Sequence, residues 1–265
     1  KHDVSLVYYV GQAMKFGLQK LGIATIEDLA KQDPEELTNR VQKLKEDGSF
    51  WKGMPGDLAC QSVERARIHI SQKPVIHELI TFPDAAVEIH FDIEDDPTQD
   101  FVYLHGVLLV EKGREPKYFG FFADHRDDEK KITEQLFDFF NQYPSAPVYH
   151  YSDYEKTTLK RLISKHKIET DILERLFGEQ GTAIDMYKIV TQNTDWPLTS
   201  YGIKPICKFL GFQWDAADAG GAASIVWMND FLAGDKAMKE KILRYNEDDC
   251  RATLFLKTKL LETLI

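Results

Sequence analysis

The stretch that decides the fold is Val87–Pro97, which reads VEIHFDIEDDP. Apolar residues alternate with polar ones, which is the period-two pattern of a β-strand with one buried face. Successive side chains of a strand point to opposite sides, so the polar residues share the other face. The apolar set is Val87, Ile89, Phe91 and Ile93, and the opposite set is Glu88, His90, Asp92 and Glu94. Asp92 and Glu94 are therefore predicted to lie side by side near the carboxyl end of this strand.

Two carboxylates at this spacing repel one another unless a cation lies between them. Ligands that are all oxygen favour Mg²⁺ or Mn²⁺ over Zn²⁺. Asp92 and Glu94 therefore indicate a site for a divalent metal. A solvated edge strand that runs into the acidic turn Asp95-Asp96-Pro97 would give the same pattern, and this segment alone leaves both interpretations open.

The composition restricts the class of protein. The 265 residues have an apolar content of 43% and a net charge of −10. The apolar content is typical of a soluble globular protein that can bury a sizeable core. The negative charge argues against a protein that coats nucleic acid by bulk attraction. It remains compatible with a nuclease, because bound metals neutralise catalytic carboxylates locally.

The cysteines and the hydropathy pattern bear on the cellular compartment. Cys60, Cys207 and Cys250 are far apart and form no paired spacing, so neither a disulfide framework nor a zinc knuckle is expected. We therefore predict a reducing, cytoplasmic location. No apolar run reaches membrane-spanning length and no signal peptide is recognisable, so no membrane partner is predicted. Because the first residue is Lys1 and not Met, we expect a fragment of a longer chain.

Residues 1–75 are predicted to form a separate helical segment. Thr25 is placed as one helix N-cap, and Asp33, followed by Pro34, as another. The pattern LGIxTIxDLA, which contains Gly22, is similar to helix-hairpin-helix modules, whose hairpin amides can hold a DNA phosphate. A small helical packing unit explains the same residues, and the sequence leaves both interpretations open.

Residues 84–265 are predicted to form the main domain. Three strands with short connections should make an antiparallel meander, at 87–97, 101–111 and 117–123. Helices and strands then alternate, with helices at 127–142 and 154–166, strands at 146–151 and 182–187, and a long helix at about 235–264. The order βββαβαβα is that of an α/β, ribonuclease-H-like fold, a mixed five-stranded sheet flanked by helices.

Two further acidic motifs follow the first. In the second, Glu155 lies in the first turn of a predicted helix, where a carboxylate also suits the helix dipole, and Asp153 is the alternative at the cap position. In the third, Tyr245 and Asp249 are four residues apart on a helix and share a face, with Asp248 as the alternative acid. A tyrosine one turn before a metal-binding aspartate can orient a water molecule.

Together the three motifs resemble the DEDD (DnaQ-like) 3′–5′ exonucleases, in the branch whose third motif is Tyr-x-x-x-Asp. Asp92 and Glu94 match the first motif, Glu155 occupies the place of the second, and Tyr245 with Asp249 match the third. The stretches VYHYSDYEKTTLKRL, SYGIKPICKFLGF and RYNEDDCRAT are similar to the YprB-type RNase H-like domain. That domain also occurs in putative RecB-family nucleases, so the resemblance implies an upstream nuclease domain. The exonuclease pattern has Asp where this chain has Glu155.

The resemblance implies a function and a site. Asp92, Glu94, Glu155 and Asp249 would hold two Mg²⁺ or Mn²⁺ ions, and Tyr245 would position the attacking water. Lys156 and Lys160 follow Glu155 and could meet the phosphate backbone, although a solvated helix face explains them equally well. Asp185 is expected to be a supporting or structural acid. We therefore predict a 3′–5′ exonuclease that acts on single-stranded DNA, with a ribonuclease and a non-catalytic nucleic-acid-binding or scaffold module as alternatives.

Overall fold

The computed structural model describes residues 2–49, 57–215 and 221–262. The α-helices are α1 (Gln12–Lys20), α2 (Ile26–Ala30), α3 (Pro34–Glu46), α4 (Leu58–Ser71), α5 (Glu129–Gln142), α6 (Tyr154–His166), α7 (Ile172–Phe177), α8 (Met186–Asn193), α9 (Ile203–Phe209), α10 (Gly221–Leu232) and α11 (Met238–Glu262). The strands are β1 (Val75–Ile76), β2 (Val87–Asp96), β3 (Phe101–Glu111), β4 (Lys117–Phe122), β5 (Val148–His150), β6 (Ala183–Asp185) and β7 (Thr194–Asp195). Short 3₁₀ helices lie at Val4–Leu6 and Arg126–Asp128. None of the helices in these ranges combines the length and the apolar character that a membrane-spanning helix needs.

The chain divides into two compact units. One comprises Lys1–Leu79 and Ile189–Ile206, and the other comprises Ile80–Lys188 and Cys207–Ile265. The sequence placed the main domain at 84–265 without interruption, whereas in the structure 189–206 belongs with the helical unit. Arg65 and Asp195 show why, because they form a buried ion pair within that unit, with 2.7 Å between Nε and Oδ1. The Tyr201 hydroxyl donates to the same Asp195 oxygen at 3.1 Å.

The helical unit has the two N-caps that the sequence predicts. Thr25 Oγ1 accepts from the amide of Asp28 at 3.2 Å, and Asp33 Oδ1 accepts from the amide of Glu36 at 2.9 Å. An apolar core holds the helices together, since each has at least one side chain that is almost fully buried. These include Leu18, Ile26, Leu29, Leu37 and Val63.

The turn between α1 and α2 contains Gly22, with φ of +79°. The amides of Leu21, Gly22 and Ile23 all donate to carbonyls in the last turn of α1, at 2.9–3.0 Å. This is how a helix terminus satisfies its last carbonyls. A phosphate would need amide donors at this turn, and these three are already used. The contact between Gly22 and nucleic acid stays a prediction.

The second unit is built on a five-stranded mixed sheet in the order β4-β3-β2-β5-β6. β2, β3 and β4 are antiparallel, whereas β5 runs parallel to β2, and β6 parallel to β5. Helices flank the sheet, which confirms the predicted α/β, RNase H-like architecture. Ile89, Phe91 and Ile93 of β2 pack into an apolar core with side chains of α5 and α6, such as Leu136 and Leu159.

The polar face of β2 is covered as well. The alternation predicted one buried face, but Glu88 and His90 are also buried, with 9% and 0% of their surface exposed. α11 packs against β2 and β3 on this side, and Lys257 of α11 pairs with Glu88. The strand that carries Asp92 and Glu94 is therefore central, which excludes the solvated edge strand.

Glycines let α11 approach the sheet closely. Asp92 of β2 is paired with Gly106 of β3, and Gly106 in turn with Gly120 of β4. A Cβ added at Gly120 would lie 2.6 Å from Leu243 of α11. Glycine inside a strand weakens it and commonly marks a close approach of another segment. Here that segment is the helix that carries the third acidic motif.

Candidate metal centre

Three carboxylates converge where α11 crosses β2. Asp92 and Glu94 come from β2 and Asp249 from α11, and their ligand atoms all lie within 4.8 Å of one another. Glu94 and Asp249 are buried, whereas Asp92 is half-buried. In the parts of the chain that the structure describes, this is the one group of three or more His, Cys, Asp or Glu side chains that meets this spacing.

The chemistry of this group fits a hard divalent cation. All three donors are carboxylate oxygens, which suit Mg²⁺ and Mn²⁺ and not a soft metal. Without a cation, three negative charges within 4.8 Å would repel one another at a site largely removed from water. The structure therefore brings together Asp92, Glu94 and Asp249 in an arrangement suited to metal binding.

Asp249 is held by two neighbours. The indole Nε1 of Trp214 donates to Asp249 Oδ1 at 2.7 Å, and the Tyr245 hydroxyl is hydrogen-bonded to the same carboxylate. Burial and the adjacent Asp249 charge raise the pKa of Tyr245 well above its usual value, so the hydroxyl stays protonated. Trp227 packs edge-on against the Tyr245 ring, with 6.0 Å between ring centroids. Tyr245 is thus held in a fixed orientation beside the three carboxylates, with its one hydroxyl hydrogen directed to Asp249.

Glu155 lies outside the group of three carboxylates. It is buried in the first turn of α6, with 3% of its surface exposed. His150 Nδ1 lies 3.4 Å from its Oε2 but donates more closely, at 2.7 Å, to the carbonyl of Ser152. Burial raises the pKa of Glu155 above its ordinary value. The assignment of Glu155 as a metal ligand stays a prediction.

Comparison with known proteins agrees with this architecture. A family model described as the RNase H superfamily matches residues 89–261. This chain belongs to the RNase H superfamily. No curated protein and no solved structure matches. The matched range begins within β2 and extends to α11, so it contains all three converging carboxylates. An RNase H superfamily domain with such a buried acidic group indicates a metal-dependent nuclease, whose substrate is nucleic acid.

Two further acids near Glu155, the alternative Asp153 and the expected supporting acid Asp185, contact other groups in this RNase H superfamily domain. Asp153 is the N-cap residue of α6, but its side chain makes no cap hydrogen bond and instead pairs with Lys188 at 3.1 Å. Asp185 Oδ1 accepts from the amides of Ser152 and Tyr187, at 3.0 and 2.9 Å. Asp185 therefore organises the segment after β5 and the start of α8.

The other charged candidates lie outside the group as well. Asp248 accepts from the amide of Asp215 at 2.9 Å, so it anchors a loop. Lys156 lies with its Nζ 5.7 Å from the centroid of the Phe177 ring, and Lys160 is exposed. Their contact with a phosphate backbone stays a prediction. Arg161, one residue further along α6, pairs with Asp100 of the β2–β3 turn.

Sequence reasoning missed the side chains that support the acids. Asn246 and Trp214 each donate a hydrogen bond to a carboxylate of the group, to Asp92 and Asp249 respectively, at 2.7 Å in both cases. Trp214 gave no signal, because it lies in a loop far from the motifs. Asn246 lies inside the third motif, and Gly106 inside a strand was the available sign of a close approach.

Proposed function

We propose that this RNase H superfamily protein is a 3′–5′ exonuclease that hydrolyses phosphodiester bonds of single-stranded DNA. The observation that supports the proposal is the position of Tyr245, one turn before Asp249 on α11 and hydrogen-bonded to it. This is the Tyr-x-x-x-Asp arrangement of the exonuclease branch that the sequence resembles. If Tyr245 and Asp249 lay on another face of α11, they would not reach Asp92 and Glu94 of β2.

Each residue has a defined task in this proposal. Asp92, Glu94 and Asp249 hold the divalent cation, which when bound stabilises negative charge on the oxygens of the phosphodiester. The Tyr245 hydroxyl, which stays protonated, orients the attacking water. Trp214 fixes the Asp249 carboxylate through its indole donor. The closely packed α11 shields these groups from bulk water.

Whether one or two cations bind depends on Glu155, the fourth predicted metal-binding acid. Three carboxylates account for one cation, whereas the proposed second cation requires Glu155, which in the structure lies beside His150. Calorimetric titration of the wild-type protein with Mn²⁺ measures the stoichiometry directly. Two equivalents per chain support the two-metal proposal, and one equivalent contradicts it.

A cleavage assay tests polarity and substrate. Single-stranded DNA labelled at its 5′ end should give a ladder that shortens from the 3′ end when Mg²⁺ or Mn²⁺ is present. A 3′-labelled strand should lose its label at once. RNA of the same sequence should be cut more slowly, and a preference for RNA would establish the ribonuclease instead. No cleavage of either strand with either metal would favour the non-catalytic binding module.

The choice between Glu155 and Asp153 gives a prediction. Glu155→Gln should reduce Mn²⁺-dependent cleavage by at least about 10- to 100-fold, because a neutral amide replaces a carboxyl group that is proposed to bind metal. Asp153→Asn is the matched control, since its carboxylate is 63% exposed and pairs with a surface lysine. Its cleavage rate should stay near that of the wild type. Single-turnover cleavage measures both rates, and the opposite ranking would assign the second motif to Asp153.

A further inference from the structure

Asn246 links the metal centre to the edge strand β4 of the sheet. It is fully buried on α11, and its Nδ2 donates to Asp92 Oδ2 at 2.7 Å. Its Oδ1 accepts from the Tyr118 hydroxyl of β4 at 2.8 Å. One amide therefore joins a carboxylate of β2 to a phenol two strands away.

The chemistry of the partners fixes the orientation of this amide. An ionised Asp92 carboxylate can only accept hydrogen bonds, so the side of Asn246 that faces it must be the NH₂ group. The oxygen then faces Tyr118, whose hydroxyl is able to donate. Burial raises the pKa of Tyr118 above its usual value, so this donor is retained. In both hydrogen bonds of the Asn246 side chain, a donor therefore faces an acceptor.

The sheet is shaped around Asn246. A Cβ added at Gly106 would lie 1.5 Å from Asn246 Oδ1, which is an impossible distance. It would also lie 3.1 Å from the Tyr118 ring. The glycine opposite Asp92 therefore leaves the space that the amide occupies. Packing alone would not require this, because an apolar side chain on the helix and a larger residue on the strand would fill the same volume.

We propose that Asn246 is a positioning residue for the metal centre, which it serves by holding Asp92 in the orientation that faces Glu94 and Asp249. This inference rests on the proposed metal-dependent function. A carboxylate on a strand can rotate about its last bond, and the bond from Asn246 to Oδ2 fixes that rotation. Hydrogen bonds of this kind to metal ligands are worth about 10- to 100-fold in metal affinity or activity.

Asn246→Leu is the sharpest test, because the two side chains branch at the same carbon and leucine keeps the number and connectivity of the side-chain heavy atoms. We expect Mn²⁺ affinity to fall about 10- to 100-fold, with a matching rise in the Mn²⁺ concentration that gives half-maximal cleavage. Saturating Mn²⁺ should restore much of the rate, since the three carboxylates remain. Calorimetry and cleavage at several Mn²⁺ concentrations measure these values.

Cys250→Ala provides the matched control. Cys250 is fully buried on the same helix, and its Sγ lies 3.5 Å from the carbonyl oxygen of Gly106. Its loss should lower the melting temperature, as removal of a small core group does, but leave Mn²⁺ affinity unchanged. A purely structural Asn246 would behave like Cys250, with lower thermal stability and normal metal binding.

Tyr118→Phe covers the case in which Asn246→Leu does not fold. The ring that packs over Gly106 is kept, and only the donor to Asn246 Oδ1 is lost. Mn²⁺ affinity should fall about 2- to 10-fold, which corresponds to the net free energy of one hydrogen bond.

The outcomes separate this inference from the proposed function. If the wild type binds Mn²⁺ and cleaves DNA, but both Asn246→Leu and Tyr118→Phe keep its Mn²⁺ affinity, the positioning role is overturned and the nuclease remains. If the wild type itself binds no Mn²⁺, the proposed function fails and the positioning role falls with it. Weaker Mn²⁺ binding by either variant, beside normal binding by Cys250→Ala, supports the role.

Discussion

Asp92→Asn is expected to abolish Mn²⁺-dependent cleavage, with a loss of at least about 100- to 1000-fold. One of three carboxylates within 4.8 Å is replaced by a neutral amide, so the charge that holds the cation is reduced. The fold should be kept or slightly stabilised. The introduced amide oxygen can still accept from Asn246, and the repulsion among the acids is relieved in the absence of metal. Cleavage, Mn²⁺ calorimetry and urea denaturation measure the three effects.

Asp95→Asn is the control for this prediction. Asp95 lies on the same strand just after a shift in the β2–β3 register, outside the group of three, and bonds to Tyr154 and Arg161 of α6. Its substitution should leave Mn²⁺ affinity unchanged and most of the cleavage intact. If Asp92→Asn and Asp95→Asn lost metal binding to a comparable extent, the assignment of the metal site to the three converging acids would be contradicted.

Tyr245→Phe is expected to slow cleavage by about 10- to 1000-fold while Mn²⁺ affinity stays near the wild-type value. The hydroxyl is proposed to orient water and not to bind metal. Asp249, which loses its bond to this hydroxyl, is still held by Trp214 Nε1. The ring remains in place against Trp227, so the fold should be unchanged. Single-turnover rates at saturating Mn²⁺ isolate the chemical step.

Asp249→Asn separates the two roles on α11. It removes a ligand charge, so both Mn²⁺ affinity and rate should fall, whereas Tyr245→Phe should lower the rate alone. If calorimetry shows equal loss of metal binding in the two variants, the hydroxyl supports the ligand and does not orient water.

Much of the fold is readable from the sequence because local patterns decide it. β3 has the predicted limits, Phe101–Glu111, and α6 the predicted limits, Tyr154–His166. An apolar strand bounded by turns and an amphipathic helix with a charged outer face both have signals within their own residues. The alternation along β2 likewise predicted that Asp92 and Glu94 share a face, which the convergence with Asp249 requires.

The remaining features depend on contacts that no local pattern contains. The alternation of β2 is typical of a half-buried strand, yet Glu88 is buried because Lys257, far along the chain, pairs with it. Residues 189–206 belong to the helical unit, where Asp195 pairs with Arg65, 130 residues earlier in the chain. Asn246 carried no charge to suggest a role, and its partner Asp92 is 154 residues away. Long-range polar pairs of this kind become visible only in three dimensions.

α11 fits closely against Gly106 and Gly120 of the sheet. This fit has a consequence for the order in which the elements fold during protein synthesis. A nascent chain that has emerged through α10 already carries Asp92 and Glu94 but neither Asp249 nor Asn246. Domains fold as units while the ribosome extends the chain, so α11 can dock on the sheet only near the end of this domain's translation. A ribosome-bound intermediate would lack Asp249, the hydrogen bond from Asn246 to Asp92 and the Tyr245 hydroxyl together. The three carboxylates suited to metal binding therefore come together only in this late step.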